Sequence, residues 1–134
     1  MNKKIYVFDL DDTIYPELDF KKSAFKKIKS LIERLYDVNK NDLRRILSEK
    51  EGDIFSNIAK LVGVPSIKES LIWYYRLHKP SFNKKYEAVD FLKKLTKKGI
   101  KCIILTDGYS ITQRLKLEAL NLNSYELYIS EEYN

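Results

Sequence analysis

The sequence is poor in the residues that mark cross-linked, fibrous or disordered chains. Its 134 residues include one cysteine, four glycines and three prolines. The single Cys102 excludes an internal disulfide, and so little glycine and proline excludes collagen-like and low-complexity chains. The start carries no leader-like apolar segment, and no apolar run approaches the roughly 18 to 20 residues of a spanning helix. We therefore expect a cytoplasmic protein with no membrane location.

The composition that is present favours an ordinary globular chain. Hydrophobic residues make up 44% and charged residues 33%, which suits one core with a modest insertion. The net charge of +6 raises the question of nucleic acid. The lysines are spread over predicted helix faces: Lys21, Lys22, Lys26, Lys27, Lys29, Lys93, Lys94, Lys97 and Lys98. This favours a solvated surface over a nucleic-acid partner, although a mildly positive surface could also attract anionic substrates.

Three short apolar runs predict β-strands at Ile5–Leu10, Ile100–Leu105 and Tyr125–Ile129. A helix pattern precedes the second run and ends at Gly99, where a left-handed cap is expected. Between the second and third runs, Ser110 and Gln113 have the spacing of a capping box that opens another helix. Strands that alternate with helices predict an α/β fold with a parallel sheet.

The segment 16–79 shows several helix-period patterns and no clear strand. We interpret it as a helical cap subdomain, inserted into a core made of residues 1–15 and 80–134. Within it, Trp73, Tyr74 and Tyr75 are expected in the cap core, although they could contact a substrate. The lone His78 has no evident partner in the sequence, so neither a metal nor an acid–base role is expected for it.

The motif that carries chemistry is Asp9-Leu10-Asp11-Asp12-Thr13, directly after the first strand. Ligands bind at the carboxyl ends of the strands in open parallel sheets. Three carboxylates so close together repel one another unless a cation lies between them. Oxygen ligands without paired histidine or cysteine indicate magnesium. The plainer alternative is an acidic loop that caps a helix.

This motif resembles the first signature of the haloacid dehalogenase superfamily. The stretch FLKKLTKKGIKCIILTDG resembles the helix, strand and threonine of its second signature, YRLHKPSFNKKYEAVDFL the return from a helical cap, and TDGYSITQRLKLEALNLNSYELYISEE the approach to its third. The resemblance implies a Rossmann-like parallel sheet with a helical cap inserted after the first strand.

The resemblance also implies roles for individual residues. Asp9 would be the nucleophile that forms a transient aspartyl phosphate. Asp11 would protonate the leaving alkoxide and then deprotonate water, while its backbone carbonyl binds Mg²⁺ beside Asp9. Thr106 and the backbone amides of Asp107 and Gly108 would bind the phosphoryl oxygens. An acid at position 11 favours phosphate-ester cleavage over halide displacement. We therefore expect a magnesium-dependent phosphatase that acts on a small phosphorylated metabolite, such as a sugar phosphate or a nucleotide.

The sequence departs from the family pattern because the basic third signature and the acidic fourth signature do not appear before Asn134. Lys116 could replace the basic residue, but its place in a predicted helix favours a surface role. The sheet is thus expected to be truncated, with the first strand as an exposed edge that could pair with a second copy or with a complementing chain. An alternative function follows: a catalytically impaired fragment that acts as a binding or assembly module, or that needs a complementing C-terminal part.

Overall fold

The computed structural model describes residues 3–134; Met1 and Asn2, which belong to the expected core segment 1–15, lie outside the described residues. Three strands and six α-helices follow one another in this part of the chain. Their bounds are β1 Ile5–Phe8, α1 Glu17–Leu35, α2 Lys40–Ser48, α3 Ile54–Val62, α4 Ile67–Leu77, α5 Glu87–Lys97, β2 Lys101–Thr106, α6 Ser110–Ala119 and β3 Glu126–Ile129, with a final 3₁₀ turn at Ser130–Tyr133. The predicted α/β class is confirmed.

The strands form one parallel sheet in the order β1-β2-β3. Phe8 is paired with Ile104, and Thr106 with Ile129, so the carboxyl ends of the three strands lie along one edge. Along β2, Cys102, Ile104 and Thr106 are buried, whereas Leu105 is 54% exposed. One face of the sheet is therefore covered and the other is open to solvent.

β1 stands at an end of this sheet. Ile5 and Val7 are 53% and 59% exposed, although they are apolar residues within a strand. The expected exposed apolar edge is thus present in the part of the fold that the structure describes. An edge strand of this kind, paired on one side only, offers free backbone groups to another strand.

The chain divides into two compact units. One comprises the residues up to Lys21 together with Lys79–Asn134, and the other is Lys22–His78. The junctions fall inside α1 and directly after α4, whereas the sequence pattern suggested Pro16 and Lys79. The assignment of these units as a catalytic core and a cap stays a prediction.

The all-helical unit has its own apolar core. Its buried members come from all four helices: Ile28, Ile32, Leu43, Ile46, Ile54, Ile58 and Leu71. Side chains set the helix ends, since Asn39 accepts a hydrogen bond from the Asp42 amide and Asp53 from the Ser56 amide. Gly63, at φ +80°, ends α3 in the left-handed conformation. Ser66, which precedes α4, makes no side-chain cap hydrogen bond.

The aromatic run on α4 differs from its predicted place in the helical core. Trp73 is 49% exposed and Tyr74 37% exposed, so the core placement is wrong for both. Of these three aromatic residues, Tyr75 is the one that packs against the buried cluster of the helical unit. His78 does have partners, because its ring lies 3.2 Å from the Ser23 hydroxyl and 2.7 Å from the Tyr75 carbonyl oxygen. These contacts make His78 a satisfied buried residue of the helical unit.

No helix in residues 3–134 is both long enough and apolar enough to cross a membrane.

Candidate active site

The loop after β1 folds back on itself within a few residues. The amides of Thr13 and Ile14 donate to the Leu10 carbonyl, and the amide of Asp12 donates to the Tyr15 carbonyl. Asp12 adopts φ +60°, a left-handed conformation that aspartate tolerates better than most residues. Leu10 is fully buried, which anchors the loop to the core. The tight turn carries Asp9 and Asp11 on either side of this anchor.

The ends of the three strands enclose one open cavity. Thr106 is the last residue of β2, while Asp9, Asp107 and Ser130 directly follow β1, β2 and β3. All four residues line the cavity. The Asp9 carboxylate accepts a hydrogen bond from the Leu10 amide through Oδ1 at 2.8 Å. Asp9 and Thr106, which the sequence pattern placed at one site, are thus brought together.

The Asp11 side chain does not line this cavity and is held by three donors. The Tyr15 hydroxyl and the Lys116 ammonium donate to Oδ1 at 2.6 and 2.8 Å, and Gln113 Nε2 donates to Oδ2 at 2.9 Å. Tyr15 itself is 2% exposed. Each oxygen of the carboxylate therefore has at least one fixed partner.

Opposing effects act on the pKa of Asp11, and the net result is a lowered pKa. Burial raises the pKa of this carboxyl, because the charged form loses water. Hydrogen bonds from Lys116, Tyr15 and Gln113, together with the Lys116 charge, lower the pKa by a larger total amount. Asp11 is therefore ionised at neutral pH in this arrangement.

Lys116 is not on the surface, so the predicted surface role is wrong. The residue is 3% exposed, and its ammonium lies 4.5 Å from the centroid of the Phe20 ring and 6.0 Å from that of Tyr15. A buried ammonium is stable only with a counter-charge, and aromatic faces add to the attraction. Asp11 supplies that charge.

Gln113 is the second site residue that the sequence pattern did not reveal. The predicted capping box with Ser110 is wrong, because α6 has no side-chain cap and Gln113 is 1% exposed. Its Nε2 lies 2.8 Å from Thr106 Oγ1 and 2.9 Å from the Asp107 carbonyl oxygen, in addition to Asp11. Spacing alone cannot distinguish a helix cap from a side chain turned into the site.

The last residues of the chain hold the start of α6. The Ser110 amide donates to the Glu131 carboxylate, and the Ser110 hydroxyl donates to Glu132 Oε1 at 2.7 Å. Arg114 adds a bidentate pair to Glu132 at 2.7 and 3.0 Å. These contacts fix the first turn of the helix from which Gln113 projects.

Gly108 lies in the turn between Thr106 and α6. Its φ of +125° suits glycine alone, and a Cβ here would lie 3.0 Å from Gln113 Cδ. Glycine thus lets the Gln113 side chain pass close to the backbone.

The donor set at the strand ends suits magnesium in part. Within residues 3–134, no group of three or more acidic, histidine or cysteine side chains is placed to hold a metal by itself. Asp9 nevertheless offers a carboxylate at the cavity, and magnesium commonly takes one or two protein oxygens with water and a phosphate. The Asp11 carboxylate is engaged by its three donors, so only its backbone carbonyl fits a ligand role.

Gly108→Ala should destabilise the protein more than the matched change Gly99→Ala. Both glycines have positive φ, but a Cβ at Gly99 would meet nothing within 4 Å. The left-handed backbone costs alanine about 1 to 2 kcal/mol at Gly99, and Gly108, at φ +125°, lies further from the conformations that alanine adopts. Displacement of Gln113 should cost Gly108→Ala about 1 kcal/mol or more in addition, through lost hydrogen bonds. Urea denaturation followed by circular dichroism measures the free energy of unfolding of both variants. Equal losses of stability would contradict the tight approach of Gln113 to Gly108.

Comparison with known proteins identifies the family of the chain. The sequence profile described as Haloacid dehalogenase-like hydrolase matches residues 6–132. The chain is 27% identical over 141 aligned positions to the glyceraldehyde 3-phosphate phosphatase of Methanocaldococcus jannaschii, with 95% of this chain and 62% of that protein covered. The fold resembles the HAD-hydrolase YfnB of Bacillus subtilis, whose crystal structure contains magnesium, with a TM-score of 0.57 and 18% identity over 98% of this chain and 65% of that one. The chain therefore spans less than two thirds of the length of both relatives, and it belongs to the haloacid dehalogenase-like hydrolase family.

Proposed function

We propose that this chain carries the nucleophile end of a magnesium-dependent phosphatase that acts on a small phosphorylated metabolite. The observation that supports the proposal most strongly is the common cavity of Asp9, Thr106 and Asp107 at the ends of adjacent parallel strands. A phosphatase among the relatives, named for a phosphorylated three-carbon aldehyde, supports a substrate of that size.

In the proposed reaction, an Asp9 carboxylate oxygen attacks phosphorus and the bond from phosphorus to the ester oxygen breaks. The leaving alkoxide takes a proton from Asp11, and an aspartyl phosphate remains on Asp9. Water then attacks that phosphorus and gives one proton to Asp11, and the bond from phosphorus to the Asp9 oxygen breaks, which releases inorganic phosphate and regenerates the Asp9 carboxylate and protonated Asp11. Thr106 and the amides of Asp107 and Gly108 would orient the phosphoryl oxygens, with the Thr106 hydroxyl turning from the Asp107 carbonyl oxygen to the phosphoryl group.

Asp11 must be protonated for the first step, although its hydrogen bonds to Lys116, Tyr15 and Gln113 lower its pKa. A dianionic phosphate near a carboxylate raises the pKa of that carboxyl, since like charges disfavour ionisation. The ionised form, by contrast, is the one required for the second step. Substrate binding would thus supply the pKa change between the two roles of Asp11.

Magnesium would be held by the Asp9 carboxylate and the Asp11 backbone carbonyl, and when bound it would neutralise phosphoryl charge. The residues of the chain would do the remaining work of binding, orientation and proton transfer. A cytoplasmic location is proposed with it, supported by one free, buried cysteine.

Asp9→Asn should lower the hydrolysis of p-nitrophenyl phosphate with Mg²⁺ by roughly a thousandfold or more, because the nucleophile is lost. Asp12→Asn is the matched control. The Asp12 side chain accepts a hydrogen bond from the Glu17 amide at the start of α1 at 2.9 Å, and an asparagine side chain can accept the same bond. That control should keep its rate within a few-fold, and EDTA should abolish turnover in both active proteins.

Equal, negligible rates in the wild type and Asp9→Asn would instead favour the impaired binding or assembly fragment. In that case the chain would need a complementing part to act.

We also propose that the β1 edge pairs with a second copy of the chain or with a separately made remainder of the fold. The exposure of Ile5 and Val7 supports this. Multi-angle light scattering at high concentration should give more than the 15.9 kDa monomer mass, and Val7→Lys should return the mass to that of the monomer. A monodisperse wild-type monomer would count against pairing.

A further inference from the structure

Two buried polar side chains of α6 connect the ends of β1 and β2. Gln113 reaches Asp11 and Thr106 through a single nitrogen, and Lys116, one helical turn later, reaches the other oxygen of Asp11. The two residues are 1% and 3% exposed. Both side chains therefore contact the Asp11 carboxylate from α6.

The Gln113 amide must point its nitrogen at the site. A carboxylate oxygen and a backbone carbonyl oxygen can only accept, so they require an N–H donor. The Thr106 hydroxyl donates to the Asp107 carbonyl at 3.1 Å, which leaves its oxygen as an acceptor from Gln113. Gln113 therefore fixes which way the Thr106 hydroxyl points and also how far Asp11 lies from it.

Stability alone does not account for Lys116. Two charges lose hydration when they are buried, and apolar residues of similar volume commonly stabilise a core at least as well as a buried ion pair. The position also lies among aromatic rings that a methionine could pack against. A lysine at this place therefore points to a requirement for its charge beside Asp11.

We propose that Gln113 and Lys116 are positioning residues for phosphoryl transfer, an inference that rests on the proposed function. They would act through Asp11 and Thr106, which the proposed reaction places against the substrate. Lys116 and Gln113 donate to different oxygens of the Asp11 carboxylate. Gln113 also donates to the Thr106 hydroxyl oxygen, so it fixes Thr106 relative to Asp11. Their loss should therefore impair the proton-transfer role of Asp11 more than substrate binding.

The leaving group of the substrate gives the first test. Glycerol phosphate expels a basic alkoxide that needs a proton from Asp11, whereas p-nitrophenolate leaves largely without one. Lys116→Met should lower kcat for glycerol phosphate at least about tenfold more than kcat for p-nitrophenyl phosphate, with KM changed less than about threefold. Lys116→Arg should restore part of the loss, and the exposed Lys94→Met should leave both rates unchanged.

The same loss on both esters, in a Lys116→Met protein that is folded, would overturn the positioning role. A merely structural residue would lower the amount of active protein and hence both rates alike.

The second test needs no turnover. Urea midpoints are compared for Asp11→Asn, Lys116→Met and the double variant. The double variant should show a smaller shift than the sum of the two single shifts, because the single changes each leave one partner unpaired. Additive shifts would overturn the proposal. A wild type that hydrolyses neither ester but shows this coupling would refute the proposed function and still support the Asp11 network.

Discussion

The ion pair between the buried Lys116 ammonium and the partly buried Asp11 carboxylate is the interaction on which the site depends. It joins the turn after β1 to the middle of α6, across elements far apart in sequence. Because an isolated buried ammonium or carboxylate is costly, each charge requires the other to stay in place. Tyr15 and Gln113 add neutral donors to the same carboxylate, so the loop cannot shift without the loss of several hydrogen bonds.

This network also relates the two halves of the proposed chemistry. Asp9 faces the open cavity at the strand ends, while Asp11 faces the buried polar cluster on the other side of Leu10. One carboxylate thus lines the open cavity, and the other is partly buried and held by three donors. Such a difference in environment is how two nearby carboxylates come to serve as nucleophile and acid–base group.

Much of the fold follows from local sequence patterns. Short apolar runs located all three strands to within about two residues, and the helix periodicity located the helices between them, since both signals arise from burial. Asp9 and Thr106 could be found because polar residues at the ends of parallel strands share one edge. The exposure of Trp73 and Tyr74 could not be predicted, because no local pattern shows whether an aromatic residue on a short helix lies in the core or on the surface.

The placement of Gln113 and Lys116 at the site could not be predicted from local sequence patterns either. A lysine at helical spacing has a surface pattern whether or not a buried carboxylate lies opposite, and the Ser110 to Gln113 spacing suits a cap equally well. Their roles depend on Asp11, more than a hundred positions away. Only the tertiary structure brings such distant residues together.

The most direct measurement for the central claim is an NMR titration of the full chain with Mg²⁺ and beryllofluoride, which mimics a phosphoryl group bound to a carboxylate. Amide shifts concentrated in residues 9–13 and 106–108 are expected, and Asp9→Asn should lose them. Shifts confined to the lysine-rich helix surfaces, or unchanged shifts at the strand ends in Asp9→Asn, would contradict it.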